Sequence, residues 1–110
     1  GIDVESVAAV DARWDPALVL HTDEQADSPR ERALAWARKE AVLKATGRGL
    51  VVDPSEVLVS APRDPARLVD WRADEPRPPM IALADVDPTT PDHRAAVAAL
   101  TGDDLRVEAV

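Results

Sequence analysis

Hydrophobic and polar positions change rhythm several times along the chain, and each change marks an element. Residues 1–5, GIDVE, alternate with a period of two, Ile2 and Val4 to one face and Asp3 and Glu5 to the other, which predicts a short strand. Asp15-Pro16 is a helix start, with Asp15 as cap and proline at the first helical position; a short helix to about Leu20 follows. The clearest signal comes next. Ser28 caps, Pro29 suits the first turn and Glu31 completes an S-x-x-E capping box. Helix formers then run to Thr46, and Gly47 supplies a left-handed stop. The spacing predicts a helix from about Pro29 to Thr46, with Gly49 as a second flexible point.

Beyond this helix the texture is that of short strands. Leu50-Val51-Val52 leads into a turn at Asp53-Pro54, and Val57-Leu58-Val59 reads as a strand closed by Ala61-Pro62. Arg67 to Trp71 reads as another, residues 73–79 (ADEPRPP) as a proline-rich loop, and Met80 to Ala84 as a further strand before the loop DVDPTTPD. Residues 93–100, HRAAVAAL, support two readings. Asp92 as cap, the alanines and Gly102 favour a helix on propensity; a strand pairing back on Met80–Ala84 is the rival. Leu105 to Val110 alternates and reads as a strand. There is no internal repeat.

Composition narrows the class. The chain has 110 residues, enough for one compact domain. Hydrophobic residues make up 45% but aromatics only 3% (Trp14, Trp36 and Trp71), so the core must be built from Ala, Val, Leu and Ile. The absence of cysteine excludes a disulfide scaffold and a thiolate metal site, and fits a cytoplasmic protein. No run approaches the ~18 apolar residues of a membrane helix. The net charge of −8 argues against general nucleic-acid binding, but it is uneven. Residues 28–49 hold six bases against two acids, net +4, and the rest carries −12. A basic helix in an acidic body suggests that it meets an anion.

Several residue pairs have chemical potential. Asp3 and Glu5 leave the same face of a strand about 7 Å apart at the backbone. They are either an ordinary wet face or a pair of oxygen ligands for a hard cation such as Mg²⁺. Glu40 and Lys44 are an i, i+4 pair: a surface ion pair in the plain reading, a third carboxylate and a phosphate-binding cation in the sharper one. Trp36 lies one turn back on the same side, and Lys39 is offset from Glu40 by about 100°. Gly47 and Gly49 follow a helix instead of opening one, so they form no P-loop. His21 and His93 share no ligand spacing, and no nucleophile stands in a recognisable context.

Two of these signals occur together. GIDVE at 1–5, followed by WARKEAVLKATGRGL at 36–50, closely resembles the phosphopantetheinyl transferase superfamily, whose signature is a G-x-D-x-E strand and a W-x-x-K-E-[AS]-x-x-K-x-x-G-x-G-[LI] helix and turn. Trp36, Lys39, Glu40, Ala41, Lys44, Gly47, Gly49 and Leu50 match every fixed position of the second motif. The wording is similar to the Sfp type. A weaker match is 20-LHTDE-24, where the family often has F-[ST]-x-x-E; Glu24 holds its acidic position.

The resemblance implies an α+β fold, an antiparallel sheet packed against the long motif helix, and hence a strand at 93–100. It implies transfer of the 4′-phosphopantetheine arm of coenzyme A to a serine of an apo acyl or peptidyl carrier protein, releasing adenosine 3′,5′-bisphosphate. Asp3, Glu5 and Glu40 would ligate Mg²⁺. Lys44 would contact the phosphates, Lys39 would be a further phosphate contact, Gly47 would end the helix at the site as a cofactor-binding position, and Glu24 would be a base or metal-shell acid. The attacking hydroxyl belongs to the carrier. Sfp-type enzymes have two similar halves, and this chain resembles the second. The expectation is therefore a C-terminal half paired with an N-terminal one, or a short enzyme completed by oligomerising. The rival is a non-catalytic module of the same fold that docks carrier proteins or coenzyme A.

Overall fold

The alternation of the first residues does produce a strand, Ile2–Ser6 (β1), but not a wet acidic face. Asp3 is buried, whereas Ile2 and Val4 are each 57% exposed. The face carrying the acids is the inner one. These positions come from a computed structural model describing residues 1–20, 24–47, 51–88, 90–103 and 105. His21, Gly49, Leu50 and the strand predicted at 105–110, Leu105 excepted, lie outside the described residues.

A helix absent from the sequence reading follows at once: Val7–Ala12 (α1), capped by Ser6, whose Oγ accepts from the Ala9 N–H at 3.2 Å. Asp15 caps Pro16–Val19 (α2) in the same way, accepting from Ala17 N–H at 3.0 Å. The main helix, Pro29–Thr46 (α3), has the predicted bounds. Ser28 Oγ accepts from Glu31 N–H at 3.1 Å, and the Glu31 carboxylate accepts from Asp27 N–H at 3.0 Å. The helix ends at Gly47, with φ at +70°. A Cβ there would meet nothing, so glycine is favoured by the backbone's left-handed turn.

A short 3-10 turn, Pro54–Glu56, precedes Val57–Val59 (β2), and Leu68–Trp71 (β3), Ala82–Val86 (β4) and His93–Ala99 (β5) complete the elements. β4 begins two residues later than the sequence reading places it. β5 is a strand, against its helical propensity, because it is the central strand of the order β1-β5-β4 and pairs antiparallel on both sides. Alanine's helix preference, a few tenths of a kcal/mol per residue over alternatives, is overridden by two ladders of hydrogen bonds. β2 and β3 form a second, two-stranded antiparallel sheet.

The result is α+β, an antiparallel sheet packed against α3. Ala37, Ala41 and Val42 of α3 meet Ala96, Ala98 and Leu83 of the sheet, with Val57, Val59 and Trp71 beside them. Small residues allow close approach. A Cβ on Gly1 would lie 2.7 Å from the Ala41 carbonyl oxygen and 2.8 Å from Ala45 N, so the motif's leading glycine lets β1 lie against the helix backbone. The helix is wrapped on several sides, and even Arg38 and Lys39 are fully buried.

Candidate active site at the contact of β1 and α3

Burial of the inner face of β1 brings Asp3 and Glu5 under α3, where Glu40 and Lys44 project one turn apart. Lys44 Nζ donates to Asp3 Oδ1 at 2.6 Å and to the Ile2 carbonyl at 3.3 Å. Asp3 Oδ2 is buried and has no hydrogen-bond partner. An unpaired buried carboxylate oxygen is costly and calls for a further cation or donor. The other two acids record the same crowding. Burial first, then the Asp3 and Glu40 carboxylates, push Glu5 up from 4.5 to about 7, with a hydrogen bond from Trp36 opposing. Burial and then Asp3 raise Glu40 above the usual carboxylate range, with Lys44 opposing. Lys44 is raised in turn, first by its bond to Asp3 and further by Glu40 and Glu5. Three acids and one ammonium thus share one field.

This arrangement fits a hard divalent cation in donor chemistry: oxygen atoms only, like charges in need of neutralisation, and one oxygen already stripped of partners. The acids are gathered but not closed into a ligand shell; among the described residues no three His, Cys, Asp or Glu side chains stand ready to hold a metal. Lys44 is the cation now on Asp3.

Lys39 and Glu24 lie elsewhere and are committed to each other. The Lys39 ammonium is fully buried and pairs with Glu24 Oε1. It also donates to the carbonyls of Val57 at 2.8 Å, Val19 at 2.7 Å and Pro54 at 3.0 Å. Glu24 Oε2 accepts from Val59 N–H at 2.9 Å. Burial lowers Lys39 from the ordinary lysine range, with Glu24 opposing. In this ligand-free structure protein acceptors surround the Lys39 ammonium, and both carboxylate oxygens of Glu24 are engaged. Through these bonds the pair bridges α2, the 3-10 turn and β2 to α3. Gly47 acts as the helix stop.

Arg38 went unremarked in the sequence beyond its charge. It is fully buried, with two bonds to Asp85 (2.8 and 2.6 Å) and others to the carbonyls of Ser60, Ala61 and Asp64, so each of its five N–H groups has an acceptor. Part of the positive charge of residues 28–49 is therefore spent inside the protein, since Arg38 and Lys39 are buried, while Arg32 pairs with Asp11 at the surface. A cleft of about 220 Å³ adjoins Glu5, lined by Val10, Arg13, Trp14, Val19 and Trp36. No periodicity signalled it, because α1 and α2 are too short to show one.

The strand with its two inward acids, the helix carrying Glu40 and Lys44, and the sheet order form one pattern, and residues 1–99 match the family model of the 4′-phosphopantetheinyl transferase superfamily. The chain belongs to this superfamily. No curated protein and no solved structure matches it. The phosphopantetheinyl transferase match reaches from the first strand to the end of β5, so it includes every element that builds the acid cluster. Among the described residues, no helix of this superfamily member is long and apolar enough to cross a membrane.

Proposed function

We propose that the chain transfers the 4′-phosphopantetheine arm of coenzyme A to a serine of an apo acyl or peptidyl carrier protein, with Mg²⁺ and with release of adenosine 3′,5′-bisphosphate. The supporting observation is the convergence of Asp3, Glu5, Glu40 and Lys44 on one partly buried edge of a chain that belongs to this superfamily. In this reading Asp3, Glu5 and Glu40 hold Mg²⁺, which when bound neutralises pyrophosphate charge. Lys44 is about half exposed, on a single-bonded stem long enough to turn from Asp3 towards a phosphate oxygen. It stabilises the charge that gathers on the leaving 5′-phosphate as the serine oxygen forms its bond to the pantetheine-bearing phosphorus and the bridging P–O bond breaks. No side chain of this protein need be a nucleophile, since the serine belongs to the partner. The cleft beside Glu5 gives the site an apolar neighbour.

The test is incubation of the protein with coenzyme A, Mg²⁺ and apo carrier proteins of several types. The expected result is a mass gain of roughly 340 Da on the carrier serine, lost in Glu40→Gln. Coenzyme A binding with no gain on any carrier would favour the non-catalytic docking module. Full activity in Glu40→Gln would remove this glutamate from the metal site.

A further inference from the structure

Lys44 stands where its proposed phosphate role does not need it. Its ammonium is 2.6 Å from Asp3 Oδ1, and Glu40 and Glu5 act on it as well. Asp3, its direct partner, is 6% exposed, while Lys44 is 49% exposed, so the carboxylate is fixed and the ammonium has open space behind it. The two sides of the pair therefore differ in what they can do. Asp3 sits on a strand pinned by five paired positions to β5 and cannot turn away. Lys44 can rotate out on its four-carbon stem at the cost of one partly solvated ion pair.

We propose that the Lys44 ammonium is the resident cation of the acid cluster and that a divalent ion enters by displacing it. The inference rests on the reading of Asp3, Glu5 and Glu40 as the metal-holding acids. The exchange explains why three acids can be gathered beneath a helix before any metal arrives: the ammonium partly neutralises them during folding. It also explains why they do not yet form a closed shell, since one Asp3 oxygen is occupied and the other is left without a partner. Displacement frees the ammonium at the edge of the site, where a phosphate would lie. Metal and donor binding are then linked, each strengthening the other, because the metal's arrival releases the group that the donor uses.

The composition provides a direct probe. The chain has two lysines, Lys39 and Lys44. Lys39 is fully buried and is an internal control; Lys44 is the accessible one. Reductive methylation of the wild-type protein, followed by peptide mass mapping, is run with and without Mg²⁺ alone. Calorimetric titration with Mg²⁺ alone compares the wild type with Lys44→Met, with circular dichroism to check folding. The expected results are several-fold faster labelling of Lys44 in Mg²⁺, no labelling of Lys39, and Mg²⁺ affinity about fivefold tighter in Lys44→Met, the fold-change of one partly exposed ion pair. Tighter binding with unchanged labelling would mean repulsion through space without displacement, and would overturn the exchange. Equal affinity and equal labelling would overturn it too, leaving the metal reading of the acids intact. Failure of Mg²⁺ to bind either protein would overturn both.

Discussion

Glu5 shows how one residue can report on the whole site. Its carboxyl is raised from 4.5 to about 7, first by burial and then by Asp3 and Glu40. A folded value above the unfolded one means that the folded state binds the proton more tightly. The associated stability is present below about 4.5 and is lost as pH rises through 7. Because Glu5 is partly exposed, solvent screening reduces the effect to about 1 kcal/mol, or ~5 °C in melting temperature for a chain of this size. Thermal melts in a chelating buffer are therefore expected to show a wild-type deficit at pH 8 relative to pH 5 that is smaller in Glu5→Gln, where the raised Glu40 remains. Added Mg²⁺ should restore the wild type at pH 8 and do little at pH 5. Equal pH profiles for the two proteins would show that Glu5 is not strained in the fold. Its sequence position on the strand was legible; its burial was not, because alternation reveals two faces without saying which one is covered.

At the scale of elements, what matters is how strand and helix meet. Gly1 lies against the backbone of α3, and any side chain there must push β1 away. Gly1→Ala should cost about 1–3 kcal/mol, the usual range for overpacking a tight contact, read from urea unfolding. It should also weaken Mg²⁺ binding, because Asp3 would move with the strand. Lys39 joins α3 to three other segments through Val19, Pro54, Val57 and Glu24. Lys39→Met removes the cation but leaves Glu24 and three carbonyls facing an apolar side chain. The expected loss is about 3–5 kcal/mol, the penalty for breaking a buried pair by removing one partner, and denaturant unfolding would measure it. A loss below 1 kcal/mol, with coenzyme A binding weakened, would favour the phosphate role that the motif position of Lys39 implies. The helix bounds were legible to the residue, since caps and stops are local chemistry. α1 was missed because its one cue is the Ser6 cap.

At the scale of the whole molecule, the sheet separates two surfaces. Its inner face carries the acids and packs on α3; on the outer side β1 presents Ile2 and Val4, each 57% exposed. Exposed positions contribute little to stability, so Val4→Thr should stay within about 0.5 kcal/mol of the wild type in the same unfolding assay that registers Gly1→Ala. A larger loss would show that this side of β1 is covered in solution. Two charges of the basic helix are neutralised at this scale. Arg38 closes on Asp85 from β4, forty-seven residues away in sequence, and Lys39 closes on Glu24 and its neighbouring carbonyls. Net charge counted along a helix could not anticipate this, because a charge is spent by partners that only the fold supplies.

The sequence by itself determined the locally encoded features. These are the helix from Ser28 to Gly47, the positions of most strands, the pairing of an acid-bearing strand with a W-x-x-K-E-A-x-x-K helix, and through that pairing the superfamily. Local hydrogen bonds and backbone preferences act over a few residues, so their signals survive in the order of the letters. Only the tertiary structure decided the surroundings of otherwise similar charges. Glu24 and Lys39 became a buried brace, Glu5 and Glu40 members of a strained acid cluster, and Lys44 its accessible cation. It also supplied the reason that 93–99 is a strand, as the resemblance implied against local propensity, by placing it between two partners. The reason is that desolvation and ion pairing depend on what packs around a side chain, and those neighbours come from distant parts of the chain.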